Sequence, residues 1–302
     1  MDFFTISAKV ESSVSANQFA DYMKRLAPGL HKANIKAEFV YMPRRKRMEW
    51  NMSAKTAKGL HINHYNQLMD ELAQIVAEYV VDVKEPGIVG KILLKDYELA
   101  DGEMQAIKSI CCRFLGAEEE YAEARKARVS LVGSALRSVF GSLDALDLDG
   151  FISFRLQEYE TRLRETVDFA VEEYLLDKQY EDFIGLLQYF VYFQEPLTPF
   201  IHVMHRQGGE FVLLNEGFKQ IDSPASGDVV MRMADQEMQI EDVIVSTLIS
   251  LSPERILLHT RDPEALAITT IRRIFGERVQ LCLRCSHCKE FHQRIRQRDQ
   301  VT

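Results

Sequence analysis

The stretch from Asp149 to Pro196, DGFISFRLQEYETRLRETVDFAVEEYLLDKQYEDFIGLLQYFVYFQEP, sets the tightest constraint on the fold. Apolar side chains at Ile152, Leu156, Tyr159, Leu163, Val167, Ala170 and Tyr174 step by three and four residues, which draws one stripe down a long helix. Asp149 is the expected N-cap, because a carboxylate can accept from the free N–H groups of a first turn. Glu158–Arg162 and Glu160–Arg164 lie on the other face at the favourable i,i+4 spacing. A second stripe (Tyr180, Phe183, Leu187, Phe190, Val191) follows a polar connection around Asp177, and Glu195-Pro196 ends it. Two amphipathic helices joined so closely are expected to pack as an antiparallel pair. The aromatic run Tyr189, Phe190, Tyr192, Phe193 has two readings, core packing or, for Tyr192 and Phe193, part of a partner-binding patch.

With 302 residues there is enough chain for two or three compact units and a sizeable core. Apolar residues make up 46% and charged residues 27%, the balance of a folded soluble protein. A net charge of −8 argues against a general polyanion binder and so against nucleic acid as the partner. No apolar run approaches the ~20 residues that span a bilayer, so no membrane is expected. MDFFTISAKVE has an early acid and no basic n-region, so no secretory signal is expected there. The five cysteines are odd in number and clustered at two places, which suits a reducing, cytoplasmic setting rather than a disulfide framework.

Taken in order, Asp2 to Glu11 reads as a strand, Ala16 to Ala33 as a helix, Ile35 to Tyr41 and Arg47 to Ser53 as strands, and His61 to Val81 as a helix. This β-α-β-β-α order makes residues 1–95 a small α+β unit, with a short helix after Glu85-Pro86-Gly87. Asp101 to Leu115, Ala117 to Phe140 and the stretch from Asp149 make residues 96–196 a helical bundle. Phe200 to His205 and Phe211 to Asn215 flank Gln207-Gly208-Gly209-Glu210 as a β-hairpin. Ile221 to Asp228 is the best linker candidate, and Ile240 to Leu251 reads as a helix. Ile256 to His259, a helix capped at Asp262-Pro263 and stopped by Gly276, and Val279 to Leu283 form a βαβ unit with a parallel pair. Residues 197–290 are therefore a C-terminal α/β layer and 291–302 a basic tail. The fold class is α+β, helical in the middle with strands at both ends.

The sharpest chemical pattern is Cys282-Leu-Arg-Cys285-Ser-His-Cys288-Lys-Glu-Phe-His292. Three thiols at two-residue gaps and a later imidazole suit a Cys3His zinc site. An iron–sulfur cluster ranks second, since its fourth cysteine is replaced by His292. The competing reading packs Cys282 into a sheet as a small hydrophobe and leaves two thiols in a tail. Cys111-Cys112 is read as one buried and one half-buried thiol, not a redox pair. His61-x-x-His64 and His202-x-x-His205 are read as surface or cap histidines; on a strand the second pair would face opposite ways. Asp147-Leu-Asp149-Gly150 lacks the ligands of a calcium loop, with Ala145 and Leu156 at the first and last positions. Arg44-Arg45-Lys46-Arg47 and the group Arg294, Arg296, Arg298 could grip nucleic acid or an acidic protein, or be a solvated turn and a solubilising tail. Gly87-Ile-Val-Gly90-Lys91 is too short for a phosphate loop, and no G-x-G-x-x-G, H-E-x-x-H or G-x-S-x-G occurs.

DGFISFRLQEY, the helix after it, YEDFIGLLQYFVYFQEP, the hairpin FIHVMHRQGGEFVLLNE and YELADGEMQAIKSIC resemble the YtxC-like family of sporulation proteins. The likeness covers about the last two-thirds of the chain and rests on a long pattern, not a catalytic signature. It implies a soluble protein of an endospore-forming bacterium connected with sporulation, and it carries over no catalytic residues. The expected function is non-enzymatic, exerted through contacts with a protein partner. The alternative is a zinc-stabilised regulatory or nucleic-acid-binding module.

Overall fold

The structure is a computed structural model, and it describes residues 2–54, 62–116, 122–205, 211–221, 240–282 and 285. The fold is α+β, with a helical middle and a four-stranded sheet towards each end of the chain. It divides into two compact units, Met1–Leu176 and Asp177–Thr302.

In the first unit β1 (Asp2–Lys9) is one of two inner strands of a sheet ordered β2-β3-β1-β4. The strands β2 (Ile35–Met42) and β3 (Arg47–Ala54) run antiparallel across a tight turn that closes on Lys46 in a left-handed conformation. Strand alternation sends Phe4, Ile6 and Ala8 from β1, and Trp50 and Met52 from β3, into the core. There they meet Phe19 and Met23 of α1 (Ser13–Lys24), Leu26 and Leu30 around α2 (Ala27–Lys32), and Leu72, Val76 and Tyr79 of α3 (Ile62–Tyr79). The single expected helix over Ala16–Ala33 is thus two, broken at Arg25-Leu26 before Pro28, which sits in the first turn of α2. A wide π turn, Val80–Lys84, leads from α3 into α4 (Glu85–Asp96), and Pro86 occupies the first turn of α4, where no N–H is needed. Then come α5 (Asp101–Leu115) and α6 (Ala122–Phe140).

The short strand β4 (Ala145–Asp147) adds to β1 in parallel. Asp147, not Asp149, caps α7 (Leu148–Arg155), accepting from the N–H groups of Asp149 and Gly150. The Asp149 carboxylate is taken up instead by the Lys9 N–H at 2.6 Å and the Lys84 ammonium at 3.1 Å. A helix that starts from a sheet strand is capped by the residue at the strand's end, so the expected cap shifted by two positions.

After a break at Leu156, α8 runs unbroken from Gln157 to Phe193. The expected antiparallel pair does not form. The polar stretch Asp177-Lys178-Gln179 contains no glycine or proline, and Lys178 and Gln179 are good helix formers, so nothing there ends the helix. In the first unit Leu156, Tyr159, Leu163, Val167 and Ala170 are all buried, as the first stripe requires.

In the second unit β5 (Thr198–His205) pairs with β6 (Phe211–Asn215) in the expected antiparallel hairpin. The sheet order is β6-β5-β7-β8, with β7 (Pro253–His259) parallel to both β5 and β8 (Val279–Cys282). Ile201, Val203, Leu213, Ile256 and Leu258 project from one face into a core. Ile244 and Leu248 of α9 (Ile240–Leu251) and Ile268, Ile271 and Ile274 of α10 (Leu266–Phe275) close it. The Asp262-Pro263 start is corrected: α10 begins at Leu266, while the Asp262 carboxylate holds the Glu264 N–H in a turn. Gly276, at φ +50°, ends α10 as expected. From α8, Ile184, Leu187 and Val191 join this core. Arg278 donates to the carbonyls of Val191 and Gln194 at the helix end, where backbone acceptors lack intrahelical donors.

Candidate metal centre

The second sheet has a polar side. Register places His259 opposite Cys282 and beside Met204, so His202, Met204, His259 and Cys282 share the face turned away from α9 and α10. His259 and His202 are buried, at 1% and 6% exposure. The Nδ1 of His202 lies 2.9 Å from Nε2 of His259. On the other side of the His259 ring, Nδ1 faces Cys285 Sγ at 3.7 Å. One ligand atom from each of His259, Cys282 and Cys285 falls within 4.8 Å of the others. The His202 ring is stacked on Phe218, with centroids 4.0 Å apart, and Phe200 meets its edge.

Of the four residues in the expected ligand set, the structure brings Cys282 and Cys285 together, while Cys288 and His292 lie outside the described residues. The imidazole that joins the thiols is one the motif pattern passed over. That pattern runs along the chain from Cys282, whereas His259 arrives through parallel strand pairing. The signal was available: two expected parallel strands, one ending in His259 and the other carrying Cys282, place these residues in register.

The reading of His202-x-x-His205 as surface or cap histidines is overturned for His202, which is buried on the inner strand β5, while His205 is half-buried. His205 takes the opposite face, as its odd spacing requires, with Nδ1 2.8 Å from the Thr260 hydroxyl. Burial holds the His205 imidazole below its ordinary pKa, against the pull of Asp262. His61 lies outside the described residues. Cys111 is buried and Cys112 exposed, a sharper split than one buried and one half-buried thiol. Burial pushes the Cys111 thiol up to about 11. Of the basic clusters, Arg47 is spent on an ion pair with Asp147, and Arg294, Arg296 and Arg298 lie outside the described residues.

A second buried polar cluster occupies the first unit. Arg128 forks onto Glu85, with Nε at 2.9 Å and Nη2 at 3.3 Å, and also donates to the Leu115 carbonyl at 2.7 Å. Tyr159 donates to the same carboxylate at 2.5 Å. Burial raises the Glu85 pKa while Tyr159 and Arg128 pull it back, and burial beside Glu85 raises that of Tyr159.

The carboxy-terminal part of α8 presents a third feature. Its expected second stripe divides: Leu187 and Val191 turn inwards together with Ile184, while Tyr180, Phe183 and Phe190 are exposed, and Leu186, Tyr189 and Phe193 are exposed beside them. Tyr192, also exposed, meets Phe193 edge-on.

These features define a mixed α+β chain with a long helix, two small sheets and a thiol–imidazole cluster at the ends of two parallel strands. Residues 70–280 match the model of the YtxC-like family, and the chain belongs to that family. It is similar to the uncharacterized protein YtxC of Bacillus subtilis (strain 168), 24% identical over 218 residues that cover 68% of this chain and 74% of that protein. No solved structure matches it. The family match takes in His202 and His259 and stops just short of Cys282. No described helix is long and apolar enough to cross a membrane.

Proposed function

We propose that this chain is a non-enzymatic protein of a sporulation programme that works by binding another protein. The exposed aromatic face of α8, from Phe183 to Phe193, carries this reading. Large aromatic side chains left in water along one helix face are costly to a monomer, and such surfaces are where protein partners dock. The sporulation context rests on the resemblance of the helices and hairpin to the YtxC-like family.

The test is made in an endospore-forming host that carries this gene. Deletion should lower the yield or germination of spores and leave vegetative growth unchanged. A chromosomal Phe190→Ser/Phe193→Ser variant at wild-type abundance should reproduce that defect. Spores of normal number and germination in the deletion strain would refute the sporulation role. A defective deletion strain beside a fully competent double variant would refute the aromatic face. The convergence of His259, Cys282 and Cys285 favours a second reading, in which a metal-stabilised module makes the regulatory contact.

A further inference from the structure

We propose that His259, Cys282 and Cys285 bind a zinc ion that staples the last strand of the second sheet to its neighbour, a role independent of the aromatic face on α8. The donors are one imidazole nitrogen and two sulfurs, donor types that zinc takes, and they supply three of the four corners of its tetrahedron. Calcium and magnesium prefer oxygen, and iron–sulfur clusters take more thiolates than these. With Zn–S about 2.3 Å and Zn–N about 2.0 Å, a tetrahedral ion sets its nitrogen and sulfur ligands about 3.5 Å apart. Nδ1 of His259 and Sγ of Cys285 are already 3.7 Å apart, and all three ligand atoms lie within 4.8 Å. Small side-chain rotations would bring these three atoms onto one face of the ligand tetrahedron. The two-residue gap from Cys282 to Cys285 is the spacing that lets two thiolates of one turn share an ion.

The second neighbour of His259 is arranged for this role. A metal on Nδ1 leaves the proton on Nε2, and His202 Nδ1 sits 2.9 Å away to accept it. A hydrogen bond of that kind fixes the tautomer and aims the nitrogen lone pair at the metal. The stack on Phe218 holds His202 in place in its turn. On binding, each thiol releases its proton to solvent as a thiolate–zinc bond forms, and no electrons move. Two thiolates cancel the ion's charge, which a site beside a buried imidazole needs. The sheet architecture explains what the ion would hold in place. Among the described residues β8 is a four-residue edge strand paired with β7, and its last residue is the ligand Cys282. Four residues lie at the short end of the usual strand range, so a tie at the end of β8 would add to a short ladder.

The test uses the full chain without a His-tag, purified under reducing conditions from zinc-supplemented cells. Elemental analysis should give about one zinc per chain for the wild type and for His292→Ala, and at least tenfold less for His259→Ala and Cys285→Ser. His202→Ala should weaken zinc binding about 10- to 100-fold, the usual effect of losing such a partner. Zinc-edge absorption of the wild type should show both sulfur and imidazole shells. A wild type that holds no zinc, or a His259→Ala protein that keeps all of it, overturns the proposal. If His259→Ala does not fold, the absorption spectrum of His292→Ala decides: an imidazole shell that survives supports His259 as ligand, and one that vanishes refutes it.

Discussion

The two units bury polar clusters of opposite construction. In the first, Glu85 meets Arg128 and Tyr159, and Arg128 also reaches the Leu115 carbonyl, so opposite charges and complementary hydrogen-bonding groups are matched side chain to side chain. In the second, one ligand atom from each of His259, Cys282 and Cys285 lies within 4.8 Å of the others, with His202 hydrogen-bonded to His259 behind them. The contrast separates two uses of buried polarity. A cluster balanced in charge from its own side chains ties helices together, here α4, α6 and α8. A cluster of donors aimed at one point, at the ends of two parallel strands, is the arrangement on which the proposed zinc staple rests.

The largest effect expected is at the balanced cluster. Arg128→Ala leaves the Glu85 carboxylate buried without its cation and should cost about 3–5 kcal/mol in a urea melt. The double variant Glu85→Met/Arg128→Met removes both charges and should recover most of that loss. The single tryptophan, Trp50, lies buried in the same unit and reports its unfolding by fluorescence. A double variant no more stable than Arg128→Ala would mean that the cluster acts through packing rather than charge balance.

Thiol reactivity sharpens the other side of the comparison by a smaller, kinetic readout. Cys111 is buried with its pKa pushed up to about 11, so it should resist alkylation at pH 8 with or without a chelator. Exposed Cys112 should react in both conditions. Cys282 and Cys285 should be protected in the zinc-loaded protein and react at least tenfold faster once a chelator is added. Mass spectrometry of the labelled peptides reads all four thiols in one experiment. Equal labelling of Cys282 and Cys285 in the two conditions would place them outside any metal site.

What the sequence disclosed follows from how local each feature is. The stripe from Leu156 to Ala170 depends only on helical periodicity, and it is buried as read. The hairpin of β5 and β6 and the parallel pair of β7 and β8 announced themselves through alternation and turn residues. Reading failed where a neighbour distant in sequence decides. The strand β4 has three residues and exists because β1 offers it an open edge. Asp177 looked like a connection because it is polar, but helix termination needs a breaker or a cap, and neither stands there. Phe183 and Phe190 looked buried because they are aromatic, while Ile184 and Val191, one position further on, face the core. His259 closed an unremarkable apolar strand, and only the register of β7 against β8 reveals its chemistry.

The smallest expected effect lies on the rim of the first unit, where charge balance can be tuned by pH without touching its centre. Burial alone would raise the Asp82 pKa, but hydrogen bonds from Arg125, at 2.9 and 2.7 Å, and from Tyr22, at 2.7 Å, outweigh it and hold the carboxyl below its usual range. A depressed folded pKa means that the unfolded chain takes up the proton first as pH falls. The contribution of Asp82 is therefore complete above the unfolded value, about 3.9, and fades as pH falls through the folded one. Urea midpoints of wild type and Asp82→Asn should differ by a constant amount from pH 7 to pH 5 and converge below about pH 4. Tyr22 supplies the alkaline limb, since burial and then Asp82 push it up to about 12, from an unfolded value near 10. Stability should fall as pH rises from about 10 to about 12, and Tyr22→Phe should flatten that fall. A wild-type advantage over Asp82→Asn that persists undiminished to pH 3 would show that shape, rather than charge, holds this rim, and would narrow the contrast between the two units to their buried centres.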